Sequence, residues 1–459
     1  MSSAPTNFDQ LSLNPLLLDN LQTMQYSEMT PIQGLALPII LAGKDIVAKA
    51  KTGSGKTAAF GLGVLNGLNI ENYRVQALVI CPTRELADQV ANELRRLARL
   101  MSNVKILTLC GGVPIAQQIT SLEHGAHIVV GTPGRLLDHL HKQTLKLDSL
   151  DFLVLDEADR MLDMGFEEDI INIIANTPKQ RQTLLFSATY LDNIAMISQK
   201  IQQQAEFITV DDVNNQIKQI FYEVEEHHRQ QTLAKLLTDH SAQSAVIFCN
   251  TKQACQDVDT YLRKLGFSVI ALHGDLEQRD REQVLLQFAN KSRTILVATD
   301  VAARGLDIKE LDLVINYQIS YDPQVHVHRI GRTGRAGQTG LAITLVAANE
   351  MPKANLLEAL NNIKIDWQTL SNFNIDQSRI ITAQMQTLLL TTGKKNKVRA
   401  GDILGALTKD AGLDNSKIGK ITTTDLYSYV AIDKTIINKA VAYFKQGKIK
   451  GKTVRAHCL

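Results

Sequence analysis

The sequence has few of the cysteines on which small secreted or zinc-bound folds depend. None of its five cysteines forms a C-x-x-C pair. This odd number and this spacing argue against a disulfide framework and against a zinc site. We expect the cysteines that follow apolar runs to be inert core thiols. The five are Cys81, Cys110, Cys249, Cys255 and Cys458.

Long apolar runs are also absent from the sequence. No segment approaches the roughly 20 apolar residues that a membrane-spanning helix needs. The first residues, MSSAPTNFDQ, have neither the basic region nor the apolar region of a secretory signal peptide. The sequence has no low-complexity segment and no repeat of solenoid period. We therefore expect a cytoplasmic protein with packed domains and no membrane partner.

The composition that is present supports several hydrophobic cores. The chain has 459 residues, of which 44% are hydrophobic, and this length suggests about three domains. Residues 391–459 carry 14 Lys and Arg against five Asp, a balance of +9 in a chain of net charge +2. This asymmetry predicts a basic appendage that binds a polyanion, with a solvated lysine-rich surface as the alternative.

Short apolar runs alternate with helical patterns through most of the chain. Runs such as DIVAKA, FLVLDE, AVIFCN and TILVATD are apolar on both faces, which is typical of parallel strands covered by helices. The polar stretch IQQQAEFITVDDVNN interrupts this pattern. We predict two α/β domains, a linker and a small basic domain. Their predicted bounds are residues 1–205, 206–360, 361–386 and 387–459.

The segment AKTGSGKT, residues 50–57, follows one of these strands and precedes a helical pattern. It fits the phosphate-loop pattern G-x-x-x-x-G-K-[ST], except that Ala50 replaces the first glycine. We expect Lys56 to reach the β- and γ-phosphates and the Thr57 hydroxyl to contact Mg²⁺. The loop that would wrap around the phosphates consists of Thr52, Gly53, Ser54 and Gly55. A chance glycine-rich turn is the alternative, which the flanking strand and helix disfavour.

Three carboxylates follow the strand FLVL within four positions. We expect Asp156 to hold the Mg²⁺ that accompanies the nucleotide, and Glu157 to act as the catalytic base for the attacking water. An acidic helix N-terminus stabilised by the helix dipole is the alternative. It would explain one or two carboxylates but not their occurrence together with a phosphate loop.

These motifs resemble those of the DEAD-box ATP-dependent RNA helicases over roughly residues 8–345. They occur in order: QYSEMTPIQ preceded by Phe8, then AKTGSGKT, PTRELA, GG, TPGR, DEAD, SAT, VIFCNT, TDVAARGLD and HRIGRTGR. Any one of them is weak evidence, but the ordered set favours this family. The resemblance implies an α/β fold of two RecA-like parallel-sheet domains in tandem, with ATP and Mg²⁺ as cofactors.

The resemblance also implies roles around the nucleotide. Gln33 would hydrogen-bond to the adenine, Phe8 would stack on it, and Asp307 would contact the ribose. The residues expected to couple the ATP site to the RNA site are Ser187, Thr189, Asp159 and His328.

Arg332 and Arg335 of HRIGRTGR are three residues apart. On a helix they would share one face, so both could point at a γ-phosphate as arginine fingers. His326 and His328 form an H-x-H pair in the same segment. Since no third ligand is evident, we do not predict a metal site there.

An RNA path across both α/β domains follows from the same resemblance. Contacts to sugar and phosphate fix the register of the RNA without reading its sequence. Contacts to 2′-hydroxyls would explain a preference for RNA over DNA. The implied contact residues are Pro82, Thr83, Arg84 and Glu85; Gly111 and Gly112; Thr132, Gly134 and Arg135; Gln278 and Arg281; and Thr299.

The basic C-terminal segment has a predicted order of β-α-β-β-α-β, which suggests a small α+β RNA-recognition-like domain. Its third strand places Tyr427 and Tyr429 at aromatic positions, but Asp425 and Ile432 depart from the RNP1 pattern. These departures argue against ordinary base stacking on the sheet and favour binding through basic residues. Those residues are Lys394, Lys395, Lys397, Arg399, Lys448, Lys450, Lys452 and Arg455.

Parts of this segment, RAGDILGAL, IGKI and GKIKGKT, are similar to the tail of DbpA-type bacterial helicases. The resemblance implies large-subunit ribosomal RNA and pre-ribosomal particles as partners. The leading hypothesis is an RNA-stimulated ATPase that separates short RNA duplexes. An ATP-switched RNA clamp shares every motif and remains an alternative, whereas a DNA translocase would require stimulation by DNA.

Overall fold

The computed structural model describes residues 6–50, 53–188, 192–210, 217–303, 311–334, 340–361, 364–370, 372 and 374–459. The chain divides between residues 215 and 216 into two compact units. Unit one contains the first sheet, and unit two contains the second sheet and the C-terminal domain. Within the described residues, no helix has the length and apolar character needed to cross a membrane.

Unit one is built around a parallel sheet. Its strands are β1 (Ile46–Lys49), β2 (Ala77–Ile80), β3 (Ile106–Leu109), β4 (Ile128–Gly131), β5 (Phe152–Leu155), β6 (Gln182–Ser187) and β7 (Glu206–Thr209). They lie in the order β3-β4-β2-β5-β6-β1-β7, and every pair is parallel. Alternate residues of β2 pack in different cores: Ala77 and Val79 in one, Leu78 and Ile80 in the other. Apolar residues on both faces are what the sequence pattern predicts for a covered parallel sheet.

Helices cover both faces of this sheet. They are α1 (Pro15–Thr23), α2 (Pro31–Leu41), α3 (Lys56–Gly67), α4 (Arg84–Leu97), α5 (Ile115–Glu123), α6 (Pro133–His141), α7 (Ala158–Asp163), α8 (Glu167–Ile174) and α9 (Asp192–Ile201). Several begin directly after a strand, so the loops between strand and helix are short and their side chains lie at the edge of the sheet.

The second sheet, in unit two, is also parallel throughout. Its strands are β8 (Ile217–Glu223), β9 (Ala245–Cys249), β10 (Val269–Leu272), β11 (Ile295–Thr299), β12 (Leu313–Asn316), β13 (Gly340–Val346) and β14 (Trp367–Gln368). They lie in the order β10-β11-β9-β12-β13-β8-β14. The accompanying helices are α10 (Arg229–His240), α11 (Lys252–Lys264), α12 (Gln278–Ala289), α13 (Asp300–Ala303), α14 (Pro323–Ile330) and α15 (Met351–Asn361). The prediction of two tandem parallel-sheet domains is confirmed.

The C-terminal domain has an antiparallel sheet with helices on one side. Its elements are β15 (Met385–Leu390), α16 (Ala400–Gly405), β16 (Ile418–Thr423), β17 (Ser428–Asp433), α17 (Ile437–Phe444), β18 (Lys448–Ile449), β19 (Lys452–Thr453) and β20 (Ala456–Cys458). The sheet order is β16-β17-β15-β20, while β18 and β19 form a separate hairpin. The predicted β-α-β-β-α-β order is confirmed, and the hairpin is an addition that the sequence analysis did not predict.

Two short strands change the domain bounds expected from the sequence. β7 begins at Glu206, where the second domain was expected to begin, yet it pairs with β1 in the first sheet. β14 lies within the expected linker, residues 361–386, and pairs with β8 at the edge of the second sheet. Both are edge strands in polar sequence, so the search for apolar runs does not detect them.

A buried polar cluster lies in unit two, where α14 packs against β12. His326 Nε2 lies 3.1 Å from the Gln219 amide oxygen, and Nδ1 lies 3.4 Å from the Asn316 amide nitrogen. The His326 ring also lies 5.9 Å from that of Phe221. Burial, and secondarily the Arg329 cation, lowers the pKa of His326 from 6.5 to about 3. His326 is therefore a neutral core residue at physiological pH.

Protonation of His326 should make the stability of unit two depend on pH. The pKa of His326 is lower in the folded state than in the unfolded state. The neutral ring therefore makes its full contribution to the free energy of unfolding above pH 6.5, and this contribution is lost as pH falls towards 3. Between pH 7 and pH 5 we expect a loss of about 2 kcal/mol that His326→Gln does not show. Urea unfolding followed by Trp367 fluorescence measures the free energy of unfolding of unit two at each pH. Trp367 is the only tryptophan, and its ring lies 5.8 Å from that of Phe221 in the same unit.

His227→Gln is the matched control, because His227 is an exposed histidine of the same unit. It should leave the parental pH dependence unchanged. Equal loss of stability in the parent and in His326→Gln between the two pH values would show that the buried histidine is not its source.

Candidate ATP and RNA sites

Both predicted sites of unit one lie at the carboxyl edge of its sheet. The phosphate loop follows β1, the carboxylate motif follows β5, and the SAT segment, which is predicted to couple the two sites, follows β6; these three strands are neighbours. The motifs predicted to bind RNA follow β2, β3 and β4, which are also neighbours. Parallel strands place all their carboxyl ends at one edge of the sheet. Motifs that are far apart in sequence therefore lie side by side there, in one group for ATP and an adjacent group for RNA.

The phosphate loop requires glycine at Gly55. Its φ is 95°, in the left-handed region, and Gly53 has a φ of 85°. A Cβ atom at Gly55 would lie 2.6 Å from Gln33 Nε2 and 2.9 Å from Thr30 Oγ1. The loop leads directly into α3, which begins at Lys56, so its backbone N–H groups lie at a helix N-terminus. This is an arrangement that binds phosphate. Thr52 lies outside the described residues.

Lys56 and Asp156 are buried polar groups at this edge. Among the described residues, neither Lys56 Nζ nor Asp156 Oδ1 has a hydrogen-bond partner. Leaving such groups buried and unsatisfied costs free energy, which a ligand that pairs with both would recover. An ammonium group suits a phosphate, and a carboxylate oxygen suits Mg²⁺. The residues therefore fit a nucleotide with its magnesium ion.

Burial also changes the acidity of Asp156. It raises the pKa of this carboxyl group from 3.8 to about 6, with Lys56 opposing the rise and Glu157 adding to it. A cation at this carboxylate would favour the ionised form and lower the pKa again.

Glu157 has a strained backbone and a partner that sequence reasoning missed. Its φ of 53° and ψ of 51° lie in the left-handed region, which is uncommon for a residue other than glycine. Its carboxylate forms an ion pair with Arg160 at 2.9 Å, and both side chains are buried. The spacing of three residues between Glu157 and Arg160 at the start of α7 is the signal that could have indicated this pair. The ion pair holds the Glu157 carboxylate in place.

Asp159 connects the carboxylate motif to the SAT segment. Its Oδ2 accepts a hydrogen bond of 3.1 Å from the backbone N–H of Ala188, and its Oδ1 accepts one from Arg160 N–H. Ser187 lies buried at the end of β6. The predicted coupling partner Thr189 lies outside the described residues.

Gln33 and Phe8 make the local contacts that a capping amide and a core aromatic make. Gln33 Oε1 accepts from Thr30 N–H at 2.9 Å, and Nε2 donates to the Gly55 carbonyl oxygen at 3.2 Å. Phe8 is buried in the first core, with its ring 6.3 Å from that of Tyr26. Gln33 thus lies against the phosphate loop, and contact of either residue with adenine stays a prediction.

The predicted RNA residues of unit one lie on the loops after β2, β3 and β4 and in the first turns of α4 and α6. A Cβ atom at Gly111 would lie 2.7 Å from Arg84 Nη2, so the Arg84 guanidinium packs directly on the glycine backbone. Arg135 Nη1 donates to the Val113 carbonyl oxygen at 3.0 Å and to Gln118 Oε1 at 2.8 Å. These contacts hold the guanidinium groups of Arg84 and Arg135 close to the turn at Gly111 and Gly112. The remaining predicted residues of these segments are Pro82, Thr83, Glu85, Gly112, Thr132 and Gly134.

In unit two, the predicted RNA residues lie around α12 and the end of β11. Gln278 begins α12, and Arg281 Nη2 donates to the Ala302 carbonyl oxygen at 3.4 Å. Thr299 is the last residue of β11. His328, predicted to couple the two sites, lies on α14.

The expectation that Arg332 and Arg335 share a helix face is wrong. The helix α14 ends at Ile330, and Arg332 lies buried in the turn that follows. There Arg332 N–H donates to the Arg329 carbonyl oxygen, and Thr333 pairs with Leu311 in an isolated bridge. This bridge and Gly334, whose φ is 69°, turn the chain away from the helix. Arg335 and the predicted ribose contact Asp307 lie outside the described residues.

Two basic segments of the C-terminal domain come together. Lys450 Nζ donates to the Lys397 carbonyl oxygen at 2.8 Å and pairs with Asp402 at 2.8 Å. Thr391 N–H donates to the Arg455 carbonyl oxygen at 3.0 Å. All eight predicted cations are exposed and form what we call the basic face: Lys394, Lys395, Lys397, Arg399, Lys448, Lys450, Lys452 and Arg455. Lys450 has a structural part in this face because it ties the hairpin to the loop.

Three family models match the chain. Residues 30–197 match the DEAD/DEAH box helicase model, and residues 228–337 match the helicase conserved C-terminal domain. Residues 387–457 match the DbpA RNA binding domain.

Two curated relatives and one solved structure extend this agreement. The chain is 54% identical over 458 residues to the ATP-dependent RNA helicase DbpA of Escherichia coli, covering 99% of this chain and 100% of the relative. It is 40% identical over 406 residues to the DEAD-box ATP-dependent RNA helicase CshA of Geobacillus kaustophilus, covering 87% and 86%. Dbp5 of S. cerevisiae bound to RNA and ADP BeF3 is similar with a TM-score of 0.74 and 30% identity, over 82% of this chain and 98% of that one. The motifs, the tandem sheets and these relatives agree, and the chain belongs to the DEAD-box ATP-dependent RNA helicases, which are RNA-stimulated ATPases.

Proposed function

We propose that this helicase separates short duplexes in large-subunit ribosomal RNA during ribosome assembly, held to its target by the basic face. The observation that carries the proposal is the contact of Lys450 with Lys397 and Asp402, which joins two basic segments into one surface. Phosphate contacts from such a surface supply affinity that depends on salt, and RNA shape supplies selectivity. The similarity of the tail to DbpA-type helicases supports the ribosomal target, and a cytoplasmic location belongs to the same proposal.

For ATP hydrolysis, we assign the chemistry to the buried group at the carboxyl edge of the first sheet. The Lys56 ammonium would neutralise charge on the β- and γ-phosphates. The Thr57 hydroxyl and Asp156 would hold Mg²⁺, which supplies further charge neutralisation when it is bound. The Glu157 carboxylate would orient the attacking water and accept its proton, while Arg160 fixes its position.

The remaining site residues have proposed roles in nucleotide recognition and in RNA contact. Gln33 and Phe8 would recognise adenine, Asp307 would contact the ribose, and Arg332 with Arg335 would stabilise charge on the γ-phosphate. On the RNA side, Arg84 and Arg135 of unit one, with Arg281 of unit two, would hold phosphates of the bound strand.

The variant Glu157→Gln should bind ATP and RNA like the parent but hydrolyse ATP at least about a hundredfold more slowly. The amide preserves the shape of the side chain but can no longer accept a proton, and general-base catalysis contributes at least this factor. Steady-state ATPase rates with saturating RNA, together with equilibrium binding of ATP, measure the two effects separately.

Glu167→Gln is a suitable control for this variant. Glu167 is an acid of the same unit in an exposed ion pair with Lys200 at 2.8 Å. Its loss should leave the ATPase rate unchanged. A Glu157→Gln protein that hydrolyses ATP at close to the parental rate would contradict the assignment of the base.

The basic face is tested in the full-length chain by replacing Lys448 and Lys452 with Glu. Both side chains are exposed, and Lys450 is kept because it ties the face together. We expect weaker binding to a large-subunit ribosomal RNA hairpin fragment, and a salt dependence whose slope falls by about one for each phosphate that the protein no longer neutralises. ATPase activity with saturating unstructured RNA should be retained.

Lys439→Glu reverses charge at an exposed position of α17 that is not among the residues of the basic face. It should affect the hairpin much less than the double variant does. If the double variant and the parent prefer the hairpin over unrelated RNA equally, at fixed salt, the targeting role of the basic face is refuted.

A further inference from the structure

Two histidines and a glutamate lie together in the turn between β8 and α10. Glu226–His228 form one turn of 3₁₀ helix, and the His228 N–H donates to the Glu225 carbonyl oxygen at 2.9 Å. The rings of His227 and His228 lie with their centroids 4.0 Å apart. Within the part of the chain that the structure describes, Glu225, His227 and His228 are the one group of three or more such side chains whose ligand atoms lie within 4.8 Å of one another.

The distances between these atoms fit a single tetrahedral metal ion. His227 Nε2 lies 3.2 Å from Glu225 Oε2, and His228 Nδ1 lies 3.6 Å from the same oxygen. Zn–N and Zn–O bonds are about 2.0–2.2 Å long, so two ligand atoms on one tetrahedral Zn²⁺ lie roughly 3.3–3.6 Å apart. Both distances are close to this separation. Small rotations of the side chains would therefore be enough to bring all three atoms to one ion.

Buried contacts hold the backbone on both sides of this turn. Arg229, which follows it, is buried and pairs with Glu226 at 2.9 Å and with Glu350 at 2.6 Å. On the other side, the Val224 N–H donates to the Val346 carbonyl oxygen at 2.9 Å. The three candidate ligands therefore extend from a fixed backbone, which reduces the entropy that binding an ion would cost.

The two neighbouring glutamates have different partners. Glu226 pairs with the buried Arg229, whereas Glu225 lies between the two histidines. The side chains of Glu225 and His227 are 72% and 70% exposed, so an ion can reach them directly from solvent. An exposed histidine–carboxylate ion pair without a metal is the alternative, and such a pair contributes little to stability.

We propose that Glu225, His227 and His228 bind one Zn²⁺ or a similar transition-metal ion, with water as the fourth ligand. Imidazole nitrogen suits such ions, whereas Mg²⁺ and Ca²⁺ prefer oxygen ligands. The bound ion would join the end of β8 to the start of α10 and so stabilise unit two against unfolding. This site lies in unit two, whereas Thr57 and Asp156, proposed to hold Mg²⁺, lie in unit one.

The binding test uses untagged full-length protein in which Cys458→Ser removes the exposed thiol; the other four cysteines are buried. Zinc chloride is added in excess Mg²⁺ without nucleotide, so that the harder ion fills carboxylate sites. Isothermal titration should show one Zn²⁺ per chain. Loss of an outer-shell partner of a metal site costs 10–100-fold in affinity, so loss of a ligand in Glu225→Gln or His227→Gln should weaken binding by at least about tenfold.

Urea unfolding measures the structural consequence of binding. Trp367 fluorescence reports on unit two, to which the candidate site belongs. Saturating Zn²⁺ should raise the urea midpoint of the parent, because the ion binds the folded turn more tightly than the unfolded chain. The same Zn²⁺ concentration should raise the midpoint much less in Glu225→Gln and His227→Gln.

Two single variants serve as matched controls. Glu223→Gln removes an exposed carboxylate of the same segment that is outside the group of three, and His141→Gln removes an exposed histidine of unit one. Both should keep the parental affinity for Zn²⁺ and the parental rise in the urea midpoint. Every variant should keep the parental ATPase rate with saturating RNA and without zinc, which shows that its fold is intact.

Each contrary outcome has a distinct meaning. If the parent binds no Zn²⁺ at a ratio of one ion per chain, the group is only an exposed histidine–carboxylate pair, and the proposal is refuted. Equal affinity in the parent, Glu225→Gln and His227→Gln would place the ion elsewhere and would also refute it. Weaker binding in both variants, without any rise of the parental midpoint on adding Zn²⁺, would overturn the stabilising role.

Discussion

The placement of carboxyl ends at one edge of a parallel sheet is the constraint on which the functional arrangement of unit one depends. Segments after β1 and β5 form the group proposed to bind ATP, with the SAT coupling segment after β6 beside it, and segments after β2, β3 and β4 form the group proposed to bind RNA. The two groups share a sheet edge, and Asp159 links the strand ends of β5 and β6 by accepting from the Ala188 backbone. β2 of the RNA group pairs with β5 of the ATP group, so the two groups adjoin directly at this pair of strands.

Buried charge distinguishes the ATP group from an ordinary sheet edge. Glu157 and Arg160 compensate each other in an ion pair, whereas Lys56 Nζ and Asp156 Oδ1 have no hydrogen-bond partner among the described residues. The elevated pKa of Asp156, about 6, is a direct consequence of this burial. Burying these two groups without partners costs free energy. A ligand that carries phosphate and a divalent cation would pair with both groups and so recover this free energy.

Sequence reasoning predicted the parts of the fold that depend on local pattern. Apolar runs identified both parallel sheets, and the strand order of the C-terminal domain followed from its alternating segments. It missed β7 and β14, because short edge strands in polar sequence have no apolar signature. Sequence reasoning placed Arg332 on a helix. The local sequence has no signal for the bridge between Thr333 and Leu311, which turns the chain there. Sequence reasoning also missed the Glu157–Arg160 ion pair, although the spacing of three residues at the start of α7 could have indicated it.

We propose that Mg²⁺ and ATP complete the buried group formed by Lys56 and Asp156. Isothermal titration of ATP with and without Mg²⁺, for the parent, Asp156→Asn and the exposed control Glu168→Gln, tests it most directly. We predict that Mg²⁺ tightens ATP binding to the parent and to the control, and that Asp156→Asn loses most of this gain. Equal tightening by Mg²⁺ in Asp156→Asn and in the parent would contradict the account.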